Sequence, residues 1–166
     1  MTEYSSLFIS HGAPTLLVED SPARRHLSGL GNQLGAPKAI LVISAHHHSR
    51  EDSVAVTSGV APETIYDFSG FPEALYQVTY PAPGDAELAA QVISRLKAAG
   101  FATVGDASRG FDHGAWVPLH LMYPDADIPV IQISINMQKS PQGTAYLWQA
   151  HAPLRRDAFL RVGAGG

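Results

Sequence analysis

Apolar runs and amphipathic stretches alternate along this chain, and their order predicts an α/β domain with a mainly parallel sheet. Leu7-Phe8-Ile9 is a short apolar run that predicts a buried strand. A loop follows from Gly12 to Asp20. Ser21 then stands as an N-cap ahead of Pro22, opening a helix that ends near Gly35. Ala39 to Ser44 (AILVIS) is apolar almost throughout, as a strand covered on both faces requires. Val54 to Thr57 predicts a shorter strand. Residues 59–84 are rich in glycine, proline and aromatics and lack a regular period, which predicts a long ordered excursion with one short helix near Pro72 to Tyr76. From Asp85 to Ala99, Leu88, Val92 and Leu96 recur every four residues and Gly100 supplies a stop, the clearest helix in the chain. A strand at Ala102 to Val104 and a loop from Gly105 to Gly114 come next, then a helix over Ala115 to Met122 in spite of Pro118. Ile128 to Ile135 predicts a strand, residues 142–151 a helix, and Phe159 to Val162 a last strand.

Composition narrows the chemistry. A chain of 166 residues is the size of one domain and can bury a real core. Charged residues make up 16 %, against a usual value of roughly 25 %, so the surface is either unusually neutral or partly covered by another subunit. The net charge of −4 provides no basic footprint for nucleic acid. No apolar run approaches the length of a membrane span, and the N-terminus lacks the pattern of a signal peptide, which predicts a soluble, cytoplasmic protein. With no cysteine, thiolate metal sites, disulfides and a cysteine nucleophile are excluded, and any metal must be held by nitrogen and oxygen. Nucleotide-binding glycine motifs and a GxSxG elbow are absent.

Eight histidines are the compositional oddity. His11 follows LFIS and His46 follows LVISA, so each comes as a strand ends. The carboxyl ends of parallel strands lie along the edge where ligands bind, and neutral imidazole is a common ligand for zinc and iron. The plainer reading has each ring capping its strand or bonding a loop, and the two readings stand side by side. Of His46-His47-His48, alternation allows only His46 and His48 to share a face, so His47 is expected at the surface. His113, between Asp112 and Gly114 and near Trp116, is a candidate loop histidine for acid/base chemistry, although adjacency does not make Asp112 its partner. His26 is expected in solvent, and His120 and His151 in core or surface roles.

Six segments, in order, make up a resemblance: Ser10-His11-Gly12, PKAILVISAH (37–46), TIYDFSGFPEALY (64–76), YPAPGD (80–85), RGFDHGAWVPLHLMYP (109–124) and ADIPVIQISI (126–135). Together they resemble the class III extradiol dioxygenases of the LigB superfamily, in the 4,5-DOPA dioxygenase branch. The resemblance implies a three-layer α/β/α sandwich forming one catalytic domain over residues 1–166. It implies a mononuclear non-haem Fe(II) site, with Zn(II) as an alternative occupant. His11 and His46 match two metal ligands, and His113 matches the acid/base histidine. Tyr66, Asp67, Trp116 and His47 fall where a substrate pocket is expected, and the implied partners are a catechol and dioxygen. His47 departs from the family, which usually carries an aromatic residue there. Phe159 to Gly166 resembles the family's last strand and the beginning of its Gly/Ser-rich turn, but the family's further metal-binding histidine and its final strands and helices have no counterpart in this chain. Two imidazoles alone predict weak metal binding, with His48 the nearest substitute ligand or a neighbouring subunit another. A homo-oligomer is one way to cover the apolar sheet surface left bare. The competing function is a non-catalytic, metal-binding or oligomerising relative; a metal hydrolase has less support, because no carboxylate-rich ligand motif is present.

Overall fold

The computed structural model describes residues 6–49, 52–135 and 159–165. Among these residues, six strands form one sheet: β1 (Ser6–Ser10), β2 (Ala39–His48), β3 (Val54–Thr57), β4 (Thr103–Asp106), β5 (Val130–Ile135) and β6 (Phe159–Gly165). Their spatial order is β1-β6-β2-β5-β3-β4. β1, β6, β2 and β5 are parallel, whereas β3 meets β5 antiparallel and carries β4 parallel to itself.

Among the described residues, three α-helices cover the two faces. α1 (Pro22–Leu34) and α3 (His113–Met122) pack on one side, where Leu27, Trp116 and Leu119 bury against Ile40, Val42, Val130 and Val162. α2 (Ala86–Ala98) packs on the other, its Leu88, Val92 and Leu96 against Leu41, Ile43, Val56, Ile131 and Ile133. Successive residues of β2 and β5 thus enter opposite cores, which is why the run from Ala39 to Ile43 reads as unbroken apolar sequence, while β5 also buries Gln132 and Ser134. The result is the three-layer α/β/α arrangement. Caps follow the sequence: the Ser21 hydroxyl accepts from the Arg24 amide at 3.2 Å, and the Asp85 carboxylate from the Leu88 amide at 2.9 Å. Among the described residues, no helix is long and apolar enough to cross a membrane.

Several expectations need correction. β1 is an edge strand with alternating exposure rather than a buried one, because β6 enters between β1 and β2. β2 does not stop at Ser44: pairing resumes at His48 opposite Ile135 after an irregularity, so the histidine run lies on the strand. β6 continues through the glycines to Gly165, held by β1 and β2 on its two sides. The short helix near Pro72 is a 3-10 segment over Glu73–Gln77. α3 begins at His113, since the Asp112 side chain caps it, so that histidine sits on the first helical turn and not in a loop. The helix expected over 142–151, with His151, lies outside the described residues.

α1 reaches α3 only because residue 31 is glycine. A Cβ there would stand 1.8 Å from the Met122 carbonyl oxygen, a backbone atom that cannot step aside. Alanine normally favours a helix over glycine, but here the clash dominates. Gly31→Ala is expected to destabilise the fold by about 3 kcal/mol, measured by urea denaturation; an unchanged or raised midpoint would contradict this packing.

Candidate metal and catalytic centre

Three imidazoles meet at one place. His11 leaves the end of β1, His46 stands near the end of β2, and His113 opens α3. One nitrogen from each lies within 4.8 Å of the others, a group able to hold a metal ion. The ring centroids are 4.7 Å apart for His11 and His46, 5.0 Å for His11 and His113, and 4.1 Å for His46 and His113. β1 and β2 are not neighbours, so two of these rings must reach across β6. That strand ends in Gly163-Ala164-Gly165, whose small side chains leave the gap open.

Hydrogen bonds orient the rings. His11 donates from Nδ1 to its neighbour's carbonyl, Gly12 O, at 2.6 Å, and His113 donates from Nδ1 to Asp67 Oδ1 at 2.9 Å. Each therefore keeps its Nε2 lone pair for the centre when neutral. His11 Nε2 and His46 Nε2 are 3.0 Å apart. Two ligands at right angles, each about 2.1 Å from one ion, would stand about 3 Å apart, so the donor set and its spacing fit a metal. Burial depresses the pKa of His11, only partly offset by its bond to Gly12. Burial, followed by the nearby charges of His113 and His11, likewise lowers that of His46. Both rings thus stay neutral, the form that binds metal, below the usual histidine range.

α3 is fixed to the sheet by a buried carboxylate. Asp112 is fully buried and accepts from Ser44 Oγ at 2.6 Å, Gln132 Nε2 at 2.7 Å and Arg109 Nη2 at 3.1 Å. It also caps the helix through the Ala115 amide at 3.3 Å. Gly114 permits the approach: a Cβ there would lie 2.6 Å from Ser44 Oγ and 3.0 Å from His46 Cδ2. Ser44, Gln132 and Arg109 were not among the candidates from sequence, because each looks like an ordinary strand or loop residue until Asp112 is seen between them.

The remaining candidates divide. Asp67 lies directly behind His113, and Phe68 flanks that ring at 5.8 Å between centroids. Tyr66 and Trp116 stand one layer further back, 6.1 Å apart; Trp116 is wholly buried, with its indole N–H on the Ile65 carbonyl at 2.9 Å, and Tyr66 donates to the Val78 carbonyl at 2.6 Å. Trp116 therefore supports the wall and does not line it. His48 is exposed and donates to the Ala45 carbonyl, outside the three-imidazole group. His26 is exposed, and His120 is half-buried on α3 with its pKa lowered by burial.

His47 reverses its expectation. It is 3 % exposed and lines a separate cavity of about 640 Å³ with Asp106, Ser108 and Arg109, while the side chain of His46 is 37 % exposed. The pleat turns it away from the imidazole group, so it does not share their cleft. Burial and the Arg109 charge lower its pKa to about 4. The unfolded chain takes up this proton first, near pH 6.5, so the associated stability is present above that pH and is lost as pH falls toward 4. The loss should reach about 3 kcal/mol. His47→Phe is expected to remove that part of the acid limb, read as the difference between variant and parent in denaturation at about pH 7 and about pH 4. An equal difference at both pH values would contradict a buried neutral His47.

Comparison with known proteins agrees with this geometry. Residues 5–157 match the family described as the catalytic LigB subunit of aromatic ring-opening dioxygenase. A protein of Beta vulgaris named 4,5-DOPA dioxygenase extradiol is 48 % identical over 164 residues, covering 96 % of this chain and 60 % of its own length. One of the same name from Escherichia coli K12 is 40 % identical, covering 99 % of this chain and 59 % of its own. The crystal structure of an uncharacterised protein from Escherichia coli K12 superposes with a TM-score of 0.78 at 36 % identity, over 96 % of this chain and 59 % of that one. The chain thus spans about 60 % of the length of these relatives.

Proposed function

This chain belongs to the LigB family of aromatic ring-opening dioxygenases, and from that premise we propose that it is an extradiol dioxygenase that opens a catechol such as DOPA with dioxygen. The observation that carries the reading is the convergence of His11, His46 and His113 within 4.8 Å at one edge of the sheet. His11 and His46 are the metal ligands through Nε2, with Fe(II) the working ion and Zn(II) a competing occupant. An Fe(II) ion held there supplies the redox chemistry that joins dioxygen to an aromatic ring.

The protein's own part is positioning and proton transfer. His113 presents Nε2 to the cleft, accepts a proton from a catechol hydroxyl and returns it on ring opening, while both atoms of dioxygen enter the product. Burial of His11 shields its ring from water, and Phe68 beside His113 offers an apolar surface to an aromatic ring. The relatives named 4,5-DOPA dioxygenase extradiol support a DOPA-like substrate.

Anaerobic loading with Fe(II), followed by oxygen-electrode and absorbance assays over a panel of catechols, tests the proposal. Stoichiometric oxygen uptake with a ring-opened chromophore is expected. Background uptake with every catechol, from folded and metal-loaded protein, would leave the non-catalytic metal-binding reading in its place. A homo-oligomer belongs to the same proposal, because Phe8 on the edge strand β1 is 81 % exposed; a monodisperse monomer in light scattering would remove it.

A further inference from the structure

We propose that Asp67 is the positioning residue of the centre: it holds His113 as the Nδ1–H tautomer and so aims Nε2 at the substrate. This rests on the reading of His113 as the acid/base group, but the geometry behind it stands apart from that assignment. Oδ1 of Asp67 accepts two bonds from the same residue, one from the His113 backbone amide at 2.9 Å and one from His113 Nδ1 at 2.9 Å. Two donors on one oxygen fix both the position of the first turn of α3 and the rotation of the ring. Oδ2 lies 3.9 Å from His46 Nδ1, so one carboxylate stands behind two of the three imidazoles.

The backbone imposes this meeting. Residues 63–65 and 111 are laced by reciprocal bonds, Ile65 N to Phe111 O and Phe111 N to Glu63 O, both 2.8 Å, around the parallel bridge of Thr64 with Phe111. Two residues onward from Ile65 is Asp67, and two onward from Phe111 is His113. The Trp116 indole bond to the Ile65 carbonyl and the packing of Phe68 on His113 secure the loop on both sides of Asp67. The carboxylate is itself retained as the anion. Burial alone would raise its pKa, but the bonds from His113 outweigh that and leave it lowered. Of the partners His113 could have had, the adjacent Asp112 is committed elsewhere, to Ser44, Gln132 and Arg109.

An imidazole without such an acceptor prefers the Nε2–H tautomer, which would turn a donor rather than a base toward the substrate. The outer partner of a metal-bound histidine is typically worth about ten- to a hundredfold, and a carboxylate that sets the tautomer of an acid/base histidine is worth at least as much. Asp67→Ala should therefore lower kcat by at least that factor with KM nearly unchanged.

The deciding experiment needs neither metal nor oxygen. In ¹⁵N-labelled, metal-free protein at neutral pH, His113 is expected to show the Nδ1–H tautomer, with its Hδ1 proton shifted downfield by the carboxylate. Asp67→Ala should move the ring toward Nε2–H. Asp67→Asn retains an oxygen for the backbone amide and Nδ1, so the tautomer should persist while Hδ1 moves upfield as the charge is lost. An unchanged tautomer in the alanine variant would overturn the proposal. So would an unmoved Hδ1 in the asparagine variant, which decides the matter if the alanine variant does not fold. Failure of the catechol assay alone would count against the dioxygenase reading and leave this result standing.

Discussion

Alanine in place of either His11 or His46 is expected to lower the affinity for Fe(II) or Zn(II) by more than a hundredfold. The two Nε2 atoms face each other at 3.0 Å. Removing one leaves a single well-aimed imidazole from this pair. Even an outer-sphere partner of a ligating histidine is worth about ten- to a hundredfold, so a direct ligand must exceed that. The effect is read by competition with a chromophoric chelator, titrating zinc into metal-free protein. His48→Ala serves as the control, because His48 donates to the Ala45 carbonyl outside the group and its loss should leave affinity intact. Unchanged affinity in both the His11 and the His46 variants would place the metal elsewhere.

His113→Ala is expected to act on turnover and spare the metal. Loss of a positioned acid/base group typically costs about 10²–10⁴ in rate. The ring is only 4.1 Å from that of His46, centroid to centroid, so the same variant also discriminates between two roles. Near-normal metal affinity with depressed turnover assigns His113 to proton transfer. A parallel fall in metal affinity and activity would make it the third ligand. The distinction matters because catalytic non-haem iron sites usually offer three protein ligands on one face.

The helices show what could be read locally. Leu88, Val92 and Leu96 follow the helical period, and all three are buried beneath α2. Ser21 and Asp85 cap where their side chains suggest. Such signals hold because a cap or a stripe depends on residues within a few positions of one another. The placement of His11 and His46 at strand ends was legible for the same reason. The resemblance extended this to His113.

Partnerships across the chain were not legible. His47 is expected at the surface, yet it is buried on the opposite face of β2 from His46, which does join the imidazole group. Alternation along β2 correctly pairs His46 with His48, but the cover over the other face, where His47 meets Asp106, Ser108 and Arg109, comes from residues at and after the end of β4, far along the chain.

Asp112 looked like the neighbour of His113 and proved to be the anchor of α3, whereas Asp67, 46 residues earlier, holds the ring. Among the described residues, the run of residue types along the chain determines most of the strands and helices, and sets His11 and His46 near strand ends in a molecule without thiols. Strand order settled the rest. β6 arrives from the far end of the chain to separate β1 from β2, and the bridge of Thr64 with Phe111 carries Asp67 to His113. Local periodicity measures only a residue's own burial, while a catalytic pair needs two distant backbones brought into register, and that register is a property of the whole sheet and its loops.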